Sequence, residues 1–383
     1  MNFEEQAAKP LLAAAGIAVP PSALTLMPEG AAAAAESIGP CVIKAQVPSG
    51  KRGKAGGIAL AASPEDAKAA AARILGMEIA GHPVERVLVE AQAGIEREFY
   101  AAVLNDPESK GPLLLFSAEG GMDIEELAEQ RPDSILRLPI DIRHGIEAET
   151  IAGALRGHDL GPHAAAVAGL LAKLYQVYRD NDAELVEINP LALTVDGRLV
   201  ALDCKFVLDE SAVKRREALA RAGTPERLSD LEAKAQEIGL RYIALEGSVG
   251  ILANGAGLTM TSMDAVRHFG GEPANFLEIG GDAYTLGAPA LELVLANPNV
   301  KSLLINFCGA FARTDVMVEG ILDAWEQVKP QVPAFFSVHG TGEEEAVAML
   351  RERLGVEPFE VMDDAVQAAV EAAQGATKRE AAR

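Results

Sequence analysis

Cysteine is scarce: Cys41, Cys204 and Cys308 are the three in 383 residues, and no two form a CxxC pair. An odd, scattered set does not suggest a disulfide framework and fits a reducing, intracellular setting. Positive charge is in deficit, with 34 Lys and Arg against 56 Asp and Glu and a formal net charge of −22. That field repels polyanions, which argues against nucleic acid or an anionic membrane surface as a general partner. Long apolar runs are missing, since none approaches the ~18 residues of a membrane span. The start, MNFEEQAAKPLL, has acids where a signal peptide needs bases, so the expectation is a cytoplasmic protein. Aromatic residues are only 4% while alanine is abundant, which suits helix-rich α/β packing. With 49% apolar and 23% charged residues, the chain has material for a sizeable core, in two or three domains.

Local patterns place the elements. FEEQAAKPLLAAAGIAVP reads as a short amphipathic helix stopped by Gly16. CVIKAQV (41–47) and GIALAA read as strands around a glycine loop. SPEDAKAAAARILG reads as a helix with Ser63 at the N-cap and Pro64 at its first position. RVLVEAQ (86–92) and REFYAAVLND (97–106) read as adjacent strands, PLLLFSAEGG as a third, and 163–180 as a strong helix. Residues 210–241 are charged, helical and poor in large apolar side chains, which marks a domain boundary. Beyond it, SVGILAN, ANFLEIG, VKSLLINF and VPAFFSV each precede a glycine turn and a helical pattern, as in βαβ units with a parallel sheet. EPFEV suggests a fifth strand.

Four sets of residues are candidates for chemistry. VIKAQVPSGKRGKAGGIAL (42–60) gathers Lys44, Lys51, Arg52 and Lys54 with four glycines. Glycine lets backbone N–H groups approach phosphates closely, and the cations offset their charge. No GxxxxGK(S/T) motif is present, and a solvated basic hairpin is the alternative. In AELVEINPLALTVDGRLVALDCK (183–205), Asp196-Gly197 signals a two-residue hairpin turn. Counting out from it puts Leu193 opposite Val200 and Asn189 about one residue off register from Asp203. Glu187, Asn189 and Asp203 then converge at a strand end, an oxygen set suited to Mg²⁺. The alternative is a polar strand end in which Lys205 pairs with the acids. Glu90 and Glu98 on the middle strands carry a weak signal alone. Last, ANGAGLTM, IGGDAYT, NFCGAFARTD and SVHGTGEEEA repeat one strand–glycine–helix plan. Ligands in open parallel sheets bind outside such strand ends, where helix N-termini favour anions. Arg313 is the candidate charged anion ligand there, while His339 reads as an ordinary turn residue.

In their order along the chain, EEQAAKPLLAAAGIAVP, VIKAQVPSGKRGKAGG, AEGGMDIEELAE, VEINPL, LDCK, NGAGLTMTSMD, GGEPANFLEIGG and GTGEEEA resemble the β subunits of succinyl-CoA synthetase, an NDP-forming acyl-CoA ligase family. The resemblance implies an N-terminal ATP-grasp domain (1–240) followed by a flavodoxin-like parallel-sheet CoA-ligase domain (241–383). It implies that Lys44, the Lys51–Arg52–Gly53 turn, Glu90 and Glu98 bind ATP or GTP and that Asn189 and Asp203 hold Mg²⁺. It implies that Glu187 faces a phosphohistidine and that Asn254 and the Ala310–Phe311–Ala312 turn contact substrate or phosphate. In that family CoA and the phosphohistidine belong to an α subunit, so the expected assembly is αβ or α2β2 acting on a small carboxylic acid. The chain departs from the pattern at Pro48–Lys51, at Asp282, at NFCGAF and at FSVHG, mostly in loops near the acid. The expectation is that phosphoryl transfer is kept, with the acid left open between succinate and its alternatives malate, a sulfonated acid or another short dicarboxylate. The rival expectations are a stand-alone ATP-grasp ligase and a non-catalytic regulatory subunit.

Overall fold

The computed structural model describes residues 1–50, 52–122, 124–225, 228–279 and 283–381. The chain divides into two compact units, Met1–Glu226 and Arg227–Arg383. The division falls earlier than 240 because the helix Asp230–Glu237 packs Ala235 into the core of the second unit. No helix among the described residues is long and apolar enough to cross a membrane.

Besides the two-stranded ribbon of Glu78–Ile79 and His82–Pro83, the first unit holds two larger antiparallel sheets. In the smaller, Ser22–Thr25, Val87–Ala91, Cys41–Ala45 and Ile58–Ala61 lie side by side in that order. Strand side chains alternate between faces. Cys41, Ile43, Ala45, Val87 and Val89 therefore turn to one face, where Pro28–Ile38 and Pro64–Ile74 cover them with Ala31, Ala35, Ala67, Ala71 and Ile74. Alanine lets those helices approach closely. The opposite face receives Lys44 and Glu90, on strands paired so that Val42 faces Glu90 and Lys44 faces Leu88. Ser63 caps the second helix by accepting from the Asp66 N–H, and Pro64 stands in the first turn.

The larger sheet is built on two long strands, Ile95–Asp106 and Ala183–Thr194. RVLVEAQ and REFYAAVLND are thus not neighbours, since each belongs to a different sheet. The helix Ala164–Asp180 buries Val167, Leu170, Leu171, Leu174 and Val177 in the same core as Phe99, Val186, Ile188 and Leu191. Those helix positions recur every three or four residues, a stripe facing one side.

The hairpin after Ala183–Thr194 differs from the two-residue expectation. Leu193 pairs with Leu199, not Val200, and Thr194 N–H donates to the Arg198 carbonyl at 2.9 Å. Three residues, Val195, Asp196 and Gly197, form the loop, with Gly197 at φ +80°. The Thr194 hydroxyl secures the wider loop through Arg198 N–H, the Arg198 carbonyl and the Asp196 carboxylate. The one-residue shift has a consequence for the site. Extending the register inward from Leu191↔Ala201 and from Glu187↔Lys205 puts Asn189 directly opposite Asp203.

The second unit has the strand order Arg241–Ala244, Asn275–Glu278, Val249–Ala253, Ser302–Gly309, Ala334–Gly340. The last four are mutually parallel, in the flavodoxin-like order, and Arg241–Ala244 is an antiparallel edge. Both faces are covered by helices, which explains the near-continuous apolar strands. EPFEV forms no strand; Phe359 makes a single bridge to Ser337 before Met362–Ala381 begins. The fifth strand is RYIA, whose exposed Arg241 and Ile243 hide its signal.

Candidate functional site

Lys44 leaves its strand on the face away from the helices, and Arg52 folds back from the glycine loop. Its Nη1 donates to the Ala45 carbonyl at 3.0 Å. Both cations are buried rather than displayed, at 7% and 6% exposure, and each meets carboxylates. Lys44 Nζ lies 2.7 Å from Glu90 and 3.0 Å from Glu5. Arg52 Nη2 lies 2.6 Å from Asp203 Oδ1 and 2.8 Å from Glu5 Oε2. Lys9, one helical turn after Glu5, pairs with Glu5 at 2.6 Å and with Glu90, and donates to the Leu202 carbonyl. Lys44 donates to that same carbonyl.

Three cations thus face three anions, of which Glu5 and Glu90 are buried and Asp203 is half-buried. Burial by itself would lower the Lys44 pKa, but Glu5, Glu90 and Asp203 raise it above its ordinary value. Burial by itself would raise Glu5, but Arg52, Lys44 and Lys9 outweigh it and hold its carboxyl well below the usual range. Burial pushes Glu90 up in spite of Lys44 and Lys9. The cluster is sound only as a set, because an uncompensated charge in that setting is costly.

The second group forms around Asn189. Its Oδ1 accepts from Gly121 N–H at 2.9 Å and its Nδ2 donates to the Met122 carbonyl at 2.9 Å. The same loop runs over Glu98: a Cβ on Gly121 would fall 2.1 Å from Glu98 Oε2. A Cβ on Gly120 would fall 2.3 Å from the Phe99 carbonyl oxygen, so only glycine fits. Gly120→Ala is expected to lift this loop off the strand, costing about 1–3 kcal/mol and lowering activity with it. Thermal unfolding and ligase assays on the variant check both effects.

Asp203 connects the two groups, since it stands opposite Asn189 and touches Arg52. Both hydrogen bonds it accepts among the described residues fall on Oδ1, from Arg52 and from Cys204 N–H, which leaves capacity on Oδ2. Glu187 lies two residues along, opposite Lys205, and its charge helps burial to raise the Tyr100 pKa. Among the described residues no three His, Cys, Asp or Glu form a metal cage. Two protein oxygens, from an amide and a carboxylate, instead suit Mg²⁺, which keeps positions for water and phosphate. A cavity of about 30 Å³ adjoins Glu5, Arg52 and Asp203. A larger one of about 520 Å³, beside Tyr175 and Tyr178, shares no residue with the cluster.

In the second unit, Asn254 and Cys308 meet where the strand order reverses, between Val249–Ala253 and Ser302–Gly309. Asn254 Nδ2 donates to the Cys308 carbonyl at 2.9 Å and its Oδ1 accepts from Cys308 N–H at 2.8 Å. Both ends of that amide are therefore engaged with backbone. Beyond it, Ala310 and Phe311 are exposed and Ala312 is half-buried. Arg313 is held in a two-pronged pair by Asp315, at 3.0 and 2.8 Å, which offsets the charge expected to attract an anion. His339 stands beside Cys308 in parallel register, its Nδ1 3.5 Å from Glu343.

Of the expected residues, the fold brings Lys44, Arg52, Glu90 and Asp203 into one cluster and Glu98 and Asn189 into another. Gly53 sits exposed on the loop, its carbonyl accepting from Gly56 N–H. Lys51 and Asp282 lie outside the described residues. Sequence reasoning gave no role to Glu5, Lys9, Gly120 or Gly121. The double glycine after a strand was the available signal for the last two; Glu5 and Lys9 have the i, i+4 spacing common to helix surface pairs, which carries no signal of a buried site.

Comparison with known proteins agrees with this layout. An ATP-grasp domain family matches residues 2–193 and a CoA-ligase family matches residues 252–373. The chain is 44% identical to the succinate–CoA ligase (ADP-forming) subunit beta of Rubrobacter xylanophilus, over 98% of this chain and 99% of that one. It is 42% identical to the GDP-forming counterpart of Thermus thermophilus, over 91% and 93%. A solved structure of ATP citrate lyase from Methanothrix soehngenii, in complex with citrate and coenzyme A, superposes with a TM-score of 0.72 at 25% identity, over 97% and 99% of the two chains. The two units are thus an ATP-grasp domain and a CoA-ligase domain, and the chain belongs to the succinate–CoA ligase β-subunit family, whose members are NDP-forming CoA ligases.

Proposed function

We propose that this chain binds ATP or GTP together with Mg²⁺ and passes the phosphoryl group by way of a phosphohistidine on an α subunit, which also carries most of the CoA site. The observation that carries this reading is Asp203: the strand register, extended from both sides, sets it opposite Asn189, where two oxygen ligands could share a metal, and it lies 2.6 Å from Arg52 of the basic loop. Lys44 and Arg52 would supply cations for the phosphates, and the Asn189 and Asp203 oxygens would hold the metal. Bound Mg²⁺ would offset the charge of the transferring phosphoryl group. The Gly121 loop orients Asn189 and Glu98, and the cluster keeps Lys44 charged. Glu187 faces the incoming histidine. In the CoA-ligase unit, Asn254 and the Ala310–Phe311–Ala312 turn meet the acid or its phosphate at the strand ends, with Arg313 nearby. The acid is a short carboxylic acid, and the assembly is αβ or α2β2 in the cytoplasm.

Co-expression with an α subunit of this family tests this reading. ATP and Mg²⁺ are expected to give an acid-labile phosphohistidine on the partner, and added CoA with succinate or malate is expected to give acyl-CoA. The isolated chain is expected to give neither. Acyl-CoA formation by the chain alone would sink the two-subunit reading, and an unphosphorylated partner would favour a regulatory role.

A further inference from the structure

One carboxylate in the cluster touches all three cations. Glu5 Oε1 meets Lys9 at 2.6 Å and Lys44 at 3.0 Å, while Oε2 meets Arg52 at 2.8 Å. Its side chain is fully buried. Arg52 Nη2 is shared between Glu5 and Asp203, at 2.8 and 2.6 Å. A divalent cation at Asp203 and a guanidinium on the same carboxylate repel one another. For Asp203 to serve a metal, Arg52 must have a second counter-charge that keeps it in the loop's folded position. Glu5 is that group. Lys9 and Lys44 hold the carboxylate in place, and their other partner, Glu90, balances them.

We propose that Glu5 is a positioning residue for the metal–nucleotide site: its carboxylate retains Arg52 so that Asp203 is free to take a divalent cation. The proposal rests on the reading that Asp203 is a metal ligand. With Asp203 given to the metal, Lys9, Lys44 and Arg52 face only Glu5 and Glu90, and the cluster presents one net positive charge to the phosphates. Without Glu5, Arg52 has Asp203 as its sole carboxylate within the cluster and competes with the cation.

The test is Mn²⁺ binding to the full chain with its partner subunit, without nucleotide, followed by electron paramagnetic resonance. Glu5→Gln is expected to weaken Mn²⁺ binding about tenfold, and Arg52→Gln to strengthen it severalfold by removing the competitor. In the Arg52→Gln background, adding Glu5→Gln is expected to change binding less than twofold, because Glu5 acts through Arg52. That double variant keeps two cations against two anions, so the comparison within the Arg52→Gln background stands even where Glu5→Gln alone does not fold. Equal weakening in both backgrounds, or no gain from Arg52→Gln, overturns the proposal. Asp203→Asn separates the two levels. If it leaves Mn²⁺ binding intact, the metal reading itself fails. If it abolishes binding while Glu5→Gln has no effect, only the role of Glu5 falls.

Discussion

Asp203→Ala, assayed with the α subunit present, is expected to lower acyl-CoA formation roughly 10³-fold, about 4 kcal/mol of transition-state stabilisation. The size follows from what the side chain does at once. It supplies the carboxylate of the metal pair and it touches the basic loop through Arg52. Arg52 keeps its Glu5 partner in the variant, so the loop stays attached and the loss is in turnover rather than folding. Lys205→Ala is the control. Lys205 lies opposite Glu187 and is exposed, so its removal is expected to leave turnover within about twofold. Measuring kcat for both variants decides between a metal pair and a merely polar strand end. Near-normal turnover in Asp203→Ala refutes the metal pair.

Glu90→Ala is expected to be strongly destabilising, by about 3–5 kcal/mol. The carboxylate is 2% exposed and pairs with both Lys9 and Lys44. Deleting it leaves Glu5 as the sole acid touching both ammonium groups, in a pocket without the water to solvate them. Urea unfolding monitored by circular dichroism gives the number. A loss under about 1 kcal/mol would mean that the lysines reach solvent and that the cluster is loosely built. Lys9→Met in the same chain is expected to recover part of the loss, because it removes one of the stranded charges. A double-mutant cycle then gives the coupling between Lys9 and Glu90 directly.

Much of the fold was legible because the signals are local. Alternating apolar residues, Ser63-Pro64 at a helix start and a glycine after each C-terminal strand act within a few residues of themselves. The hairpin around Gly197 shows where local reasoning stops. Asp-Gly announced a tight turn, but the Thr194 hydroxyl bonds across the loop and widens it by one residue. That single residue moved Asn189 from beside Asp203 to opposite it. RYIA went unnoticed for a related reason: an edge strand with an exposed charge lacks the apolar run of its buried neighbours.

The sequence by itself determined the two-domain α/β plan, the basic glycine loop and the candidate oxygen ligands, since each depends on residues close along the chain. Tertiary structure decided which acid answers which base. Lys44 meets Glu90 across 46 positions, Lys9 meets Glu90 across 81, and Arg52 meets Asp203 across 151. Periodicity cannot encode such pairings. They arise because the amino-terminal helix, one face of the small sheet and the end of the long hairpin exclude water together, so that every charge turned inward there must find an opposite one.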